Sequence, residues 1–114
     1  MSVRLTSRQV GDVTVIDAAG RVTLGEGASA FRDAIRNFTT EGNNKLLLNL
    51  ADVSYIDSSG IGEMVSGYTT ITSGGGQLKL VGLSKRIKDL LQITKLYTVF
   101  EVYDDEAEAV RSFR

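Results

Sequence analysis

The strongest constraint on the fold is a short apolar run, Lys45-Leu46-Leu47-Leu48-Asn49-Leu50. Successive side chains of a strand point to opposite faces of the sheet, so apolar residues at neighbouring positions predict burial on both faces. Such burial is typical of a strand that helices cover on either side. The run therefore predicts an inner strand of an α/β domain.

The rest of the chain alternates between strand-like and helix-like patterns, as apolar spacing and turn residues indicate. This order predicts a mixed sheet with helices packed on it. The predicted elements are strands over 3–10 and 13–18 joined at Gly11-Asp12, with Gly20 ending the second; a helix over 26–41 stopped by Gly42-Asn43-Asn44; a connecting segment over 51–57; a helix carrying the apolar stripe from Ile61 to Ile71 and ended by Gly74-Gly75-Gly76; a strand over 77–81; a short helix capped by Ser84; a strand over 98–103; and a last helix opened by Asp104 and Asp105, with Arg111 and Arg114 near its end.

Composition excludes several function classes. The 114 residues suit one domain, and the chain contains neither Cys nor His. Disulfides, thiolate nucleophiles, zinc–sulfur sites, imidazole metal sites and a Ser-His-Asp triad are thereby excluded. With 13 basic and 14 acidic side chains, the net charge is −1, which argues against nucleic-acid binding. The chain has no signal peptide and no apolar run of about 20 residues, so we expect a cytoplasmic protein without membrane insertion.

The segment Asp57-Ser58-Ser59-Gly60-Ile61-Gly62 stands where the inner strand leads into a helix. Asp and Ser are common helix caps, because their oxygens accept hydrogen bonds from the first free N–H groups. A helix N-terminus also favours anions, so a phosphate on Ser58 would fit there and bring about two negative charges to the surface. Spacing alone leaves both a cap and a phosphorylation switch open.

A family resemblance favours the switch. The run from Leu46 to Gly62 closely resembles the core motif of bacterial anti-sigma factor antagonists, members of the STAS domain family. The likeness extends to the turn and strand at 75–80, the helix at 84–91 and the segment 96–100. It implies a single STAS domain over 1–114, with a mixed sheet of four to five strands, about four helices, and no catalytic residues, metal or cofactor.

The resemblance also implies roles for individual residues. Ser58 would be phosphorylated by an anti-sigma factor with serine kinase activity, which binds the unphosphorylated form, and a serine phosphatase would reset the switch. The partner-binding residues would be Asp57, Ser59, Gly60, Ile61 and Gly62, together with Arg21 and Thr23 after the first hairpin. Many antagonists carry acidic residues at those last two positions, so Arg21 and Thr23 bear on partner choice.

Other interpretations are weaker or share the fold. A non-catalytic STAS subunit of a transport or stress-signalling complex, without a phosphorylation switch, is the main alternative. Asp52 follows a covered strand, as the phospho-accepting Asp of a receiver domain does. The chain lacks the acidic pair that such a domain needs to hold Mg²⁺, so Asp52 is better explained as a turn residue. A hydrolase built on Ser58 lacks a base, and Gly60-Ile61-Gly62 lacks the third glycine of a dinucleotide loop. Lys85, Arg86 and Lys88 predict a solvated face, with contact to a phosphate or an acidic partner as the lesser interpretation.

Overall fold

A five-stranded mixed sheet, in the order β1-β2-β3-β4-β5, runs through the computed structural model, which describes residues 3–42 and 44–114. The first two strands form an antiparallel hairpin, and the remaining neighbours are parallel. The elements are β1 (Val3–Val10), β2 (Val13–Val22), α1 (Glu26–Thr40), β3 (Lys45–Ile56), α2 (Ser58–Ser73), β4 (Gln77–Val81), α3 (Lys85–Ile93), a 3-10 turn (Leu96–Thr98), β5 (Val102–Tyr103) and α4 (Glu106–Ser112).

The predicted inner strand is the centre of this sheet. Leu46, Leu48 and Leu50 of β3 pack under α1, α2 and α3, while Leu47 faces the opposite side and packs with Ala109 of α4. All four leucines are fully buried. The mixed α/β sheet with helices on both faces is therefore confirmed.

Two strands are longer than predicted. β2 continues past Gly20 to Val22, and β3 continues through the supposed connecting segment to Ile56. The added residues pair with each other, Ala19 with Asp52 and Val22 with Ile56, across two irregularities in register. Their burial does not follow the two-residue alternation of a regular strand, since residues 51 and 52 are both exposed and register shifts interrupt the pairing. Without that alternation, the sequence of this segment resembles a loop. Asp52 thus lies within a strand and is not a turn residue.

The C-terminal elements also differ from the prediction. The strand predicted over 98–103 is reduced to two residues, because the chain first forms a 3-10 turn after Lys95, whose φ is +63°. Asp105 caps α4, whereas Asp104 forms an ion pair with Lys88. Arg114 lies beyond the end of the helix. Of the residues predicted to stop the first helix, Asn43 lies outside the described residues.

The buried cation Lys79 holds α4 against the sheet. Its side chain is only 6% exposed, and Nζ donates to the carbonyl and the hydroxyl of Ser112, both at 3.0 Å. The ammonium also lies 3.4 Å from Glu101 and 4.9 Å from the centroid of the Phe113 ring. A cation bound to a carbonyl at the end of a helix stabilises that end.

We expect Lys79→Ala to lower the free energy of unfolding by about 1–2 kcal/mol, because it removes buried hydrogen bonds and leaves the Ser112 carbonyl without its donor. Urea denaturation measures the loss, and hydrogen exchange should show it concentrated in α4. Lys88→Ala is the control, since Lys88 forms an exposed pair. Equal effects of the two substitutions would contradict the proposed role of Lys79.

Candidate functional site

Ser58 is the first residue of α2 and is exposed at the edge where β2 and β3 end. These two strands run in parallel, so their carboxyl ends meet, and Val22 pairs with Ile56 there. The loop from β2 to α1 therefore lies beside the start of α2. Loops at the carboxyl ends of parallel strands are where α/β folds place their ligand and partner sites.

Asp57 fixes the backbone on both sides of this junction. One carboxylate oxygen accepts from the Gly60 N–H at 3.0 Å, which makes Asp57 the N-cap of α2. The other oxygen accepts from the Leu24 N–H at 2.9 Å, in the loop that follows β2. These two donors lower the pKa of Asp57 below its ordinary value of 3.8. The side chain predicted as a cap thus also joins two loops that are 33 residues apart in sequence.

Gly60 allows α2 to approach the sheet closely. A Cβ on Gly60 would stand 2.6 Å from the Val22 carbonyl oxygen and 2.6 Å from Cγ1 of Ile56. Ile61 follows it and is 5% exposed, inside the core. Neither residue offers side-chain surface to a partner, so both position the helix that carries Ser58. Gly62 is exposed with open space around it.

Arg21, near the end of β2, and Thr23, just after that strand, occupy different environments. Arg21 is exposed and its guanidinium lies 5.3 Å from the centroid of the Tyr55 ring, on the neighbouring strand. Thr23 is half-buried, and its carbonyl accepts from the Ala28 N–H at 2.8 Å near the start of α1. Thr23 thus shapes the loop, whereas Arg21 presents a positive charge beside Tyr55, three residues before Ser58 in the chain.

A groove of about 700 Å³ separates the end of β3 and the start of α2 from α3. Arg86 lies on its far side, with the guanidinium 5.1 Å from the centroid of the same Tyr55 ring. The groove is lined by Tyr55, Ile56, Asp57, Ser58, Lys85, Arg86, Asp89, Leu90 and Ile93.

Several residues of this surface are not marked by any pattern in the sequence. Leu24 and Ile93 are among its most exposed apolar side chains, at 79% and 78%. Leu24 precedes Ala28 by four residues, so helical spacing alone would place it on the buried stripe of α1. In fact it lies in the loop before that helix. No sequence pattern marks Tyr55 as part of the site, because Arg21 and Arg86 come together at its ring only in the folded structure.

The described residues contain no group of three or more Asp and Glu side chains that could hold a metal ion. Asp17, on β2, forms an ion pair with Arg8 and accepts a hydrogen bond from the side chain of Asn49. Among the described residues, no helix has the length and apolar character needed to cross a membrane.

Comparison with known proteins shows which family the chain is similar to. The model of the STAS domain family matches residues 4–109. The anti-sigma-B factor antagonist of Bacillus subtilis is 29% identical over 102 residues, covering 90% of this chain and 92% of the relative.

Solved structures show the same architecture. The crystal structure of a Thermotoga maritima protein, provisionally assigned as an anti-sigma factor antagonist, superposes with a TM-score of 0.86 at 29% identity, covering 96% of this chain and 94% of that one. The phosphorylated form of the Bacillus cell fate determinant SpoIIAA superposes with a TM-score of 0.73, covering 95% and 98%; at 19% identity this likeness concerns the fold alone. The matched family model spans nearly the whole sheet and the helix that bears Ser58, and the chain belongs to the STAS domain family.

Proposed function

We propose that this chain is an anti-sigma factor antagonist with Ser58 as its switch. The unphosphorylated form binds an anti-sigma factor with serine kinase activity, which then releases its sigma factor. Phosphorylation of Ser58 ends that contact, and a serine phosphatase restores it. The observation that carries the proposal is the exposed Ser58, at a helix start that the hydrogen bonds of Asp57 and the close packing of Gly60 position.

The surface around Ser58 suits a reversible protein contact. Leu24 is largely exposed in the loop that Asp57 joins to the start of α2, so its apolar side chain is available to a partner that contacts Ser58. A phosphate on Ser58 would add up to two negative charges at this contact. Because the Ser58 side chain is not buried, this change would disturb the partner interface and not the core.

Two similar proteins have properties that match this proposal. The Bacillus subtilis relative is named for antagonism of an anti-sigma-B factor, and SpoIIAA has been solved in a phosphorylated form. We propose both properties for this chain, and we propose that it meets its partners in the cytoplasm. Its kinase would be one that accepts Arg21 and Thr23 beside the site.

We expect Ser58→Asp to weaken binding of the anti-sigma factor by about tenfold, or about 1.4 kcal/mol, because it places a charge at the contact. Ser58→Ala should remain folded and bind constitutively. The first measurement is a pull-down from lysate of the source organism with wild type and Ser58→Asp as bait. Calorimetry with the purified partner and phosphorylation with radiolabelled ATP then test the switch directly.

Ser66→Asp is the matched control, since Ser66 is also exposed on α2 but lies two turns from the site. It should bind like the wild type. Recovery of a membrane-transport ATPase by wild type and Ser58→Asp alike would contradict the proposal. It would instead favour a transport subunit in which Ser58 is structural.

A further inference from the structure

The groove beside Ser58 carries positive charge on the wall formed by α3. Lys85 and Arg86 are exposed on the first turn of that helix, and both line the groove together with Ser58. The sequence pattern favoured a merely solvated face for these cations. Their position opposite Ser58 suggests a more specific role.

Arg86 is stacked on an aromatic ring beside the groove. Its guanidinium lies over the Tyr55 ring at 5.1 Å, and among the described side chains it forms no ion pair or hydrogen bond. Stacking on an aromatic ring uses the face of a guanidinium and leaves its N–H groups available at the edge. An arginine held in this way is ready to bind an anion with two parallel hydrogen bonds.

A second guanidinium increases the local positive potential. Arg21 lies 5.3 Å from the centroid of the same Tyr55 ring and, among the described side chains, also has no acidic partner. Two like charges near one ring repel each other, and an anion placed beside them relieves that repulsion. The arrangement therefore favours an additional negative charge at this end of the groove.

Lys85 is held only weakly. Its Nζ lies 3.1 Å from Asp89, one helical turn away, with side chains that are 89% and 57% exposed. Exposed pairs of this kind contribute little, so Lys85 can exchange Asp89 for a stronger anion. A phosphate carries more charge than a carboxylate and has three acceptor oxygens.

We propose that the phosphate of phosphorylated Ser58 is bound within the same molecule by α3, with Arg86 as its principal ligand and Lys85 as its second. This inference rests on the proposed function, in which Ser58 is the modified residue. Binding the phosphate draws Arg86 towards Ser58 and bridges the groove between α2 and α3. Phosphorylation would then reshape the partner surface over the groove as well as at the serine.

The test uses chain in which phosphoserine is inserted at position 58 during translation, so that no kinase is needed. The second ionisation of the phosphate is followed by ³¹P NMR against pH. Because cations favour the dianion, we expect its pKa to lie below the ordinary value of about 6. Arg86→Ala should raise this pKa by roughly 0.5 unit or more, Lys85→Ala should raise it less, and Arg86→Lys should retain part of the shift.

Lys88→Ala is the control, since Lys88 lies on the same helix but pairs with Asp104 and does not line the groove. It should leave the phosphate pKa unchanged. If Arg86→Ala titrates like the wild type, or if Lys88→Ala has the same effect as Arg86→Ala, the phosphate is not bound by Arg86 and the proposal is wrong. All three replaced side chains are exposed, and thermal melts of each variant verify that the fold is retained.

The outcome is independent of whether a kinase recognises the chain. If the inserted phosphate shows the expected shifts but does not weaken binding of the anti-sigma factor, the proposed function fails and the phosphate contact stands. If binding is lost while the pKa is insensitive to Arg86, the switch stands and the contact with α3 is refuted.

Discussion

Gly60→Ala is expected to lower the free energy of unfolding by about 2–3 kcal/mol, because the added methyl overfills a close contact. The Cβ would stand 2.6 Å from the Val22 carbonyl oxygen and 2.8 Å from Cγ1 of Val22. The carbonyl belongs to the backbone of β2 and cannot rotate away as a side chain would. Relief requires α2 to move off the sheet, which would also shift Ser58.

Gly62→Ala is the matched control for this prediction. Gly62 lies two residues later in the same helix, and a Cβ there would meet nothing within 4 Å. Alanine is the better helix former, so this change should raise stability by up to about 1 kcal/mol. Chemical denaturation of the two variants measures both effects. If Gly60→Ala raises stability as Gly62→Ala does, helix propensity and not the contact with β2 governs this segment.

Asp57→Ala is expected to lower the melting temperature by roughly 5–10 °C, since it removes the cap of α2 together with the bond to the next loop. Its two carboxylate oxygens accept from the N–H groups of Gly60 and Leu24. Hydrogen exchange should show faster opening at both donors. Asp52→Ala, at an exposed position on β3, is the control and should have little effect.

The same carboxylate predicts a dependence on pH. Its folded-state pKa lies below the ordinary 3.8, so its contribution is fully present above that value. The contribution is lost as pH falls through the lower folded-state pKa. The stability gap between wild type and Asp57→Asn should therefore be constant at neutral pH and narrow below about pH 4. A gap that stays constant down to pH 2 would show that the charge of Asp57 does not stabilise the fold.

The residues that position the site are different from the residue proposed to be phosphorylated. Gly60 and Asp57 determine where the start of α2 lies, through contacts with Val22 and Leu24. Ser58 stands on this framework without contributing its side chain to the core. In the proposed function, a charge can therefore be added to Ser58 and removed again while the fold is retained.

Features that depend on near neighbours in the chain were predictable from sequence. The buried strand at 45–50 follows from consecutive apolar residues, and the cap at Asp57 from its position three residues before the Gly60 N–H. The helix of residues 58–73 ends at Gly74 as its glycines predict. Family resemblance added the interpretation of Ser58, which spacing alone left open.

Features that depend on distant residues required the tertiary structure. The extension of β3 to Ile56 exists because β2 supplies its hydrogen-bonding partners, and a lone strand pattern cannot show that partner. The second bond of Asp57 reaches a loop 33 residues away, and the groove forms because Ile87 and Leu91 bury α3 beside β3. The inner strand and the cap are readable from the sequence, since they arise from apolar periodicity and local backbone geometry, whereas the candidate serine follows from the family resemblance. Only the tertiary structure brought Arg21 and Arg86 to Tyr55, because three separate elements meet there through packing that no local pattern records.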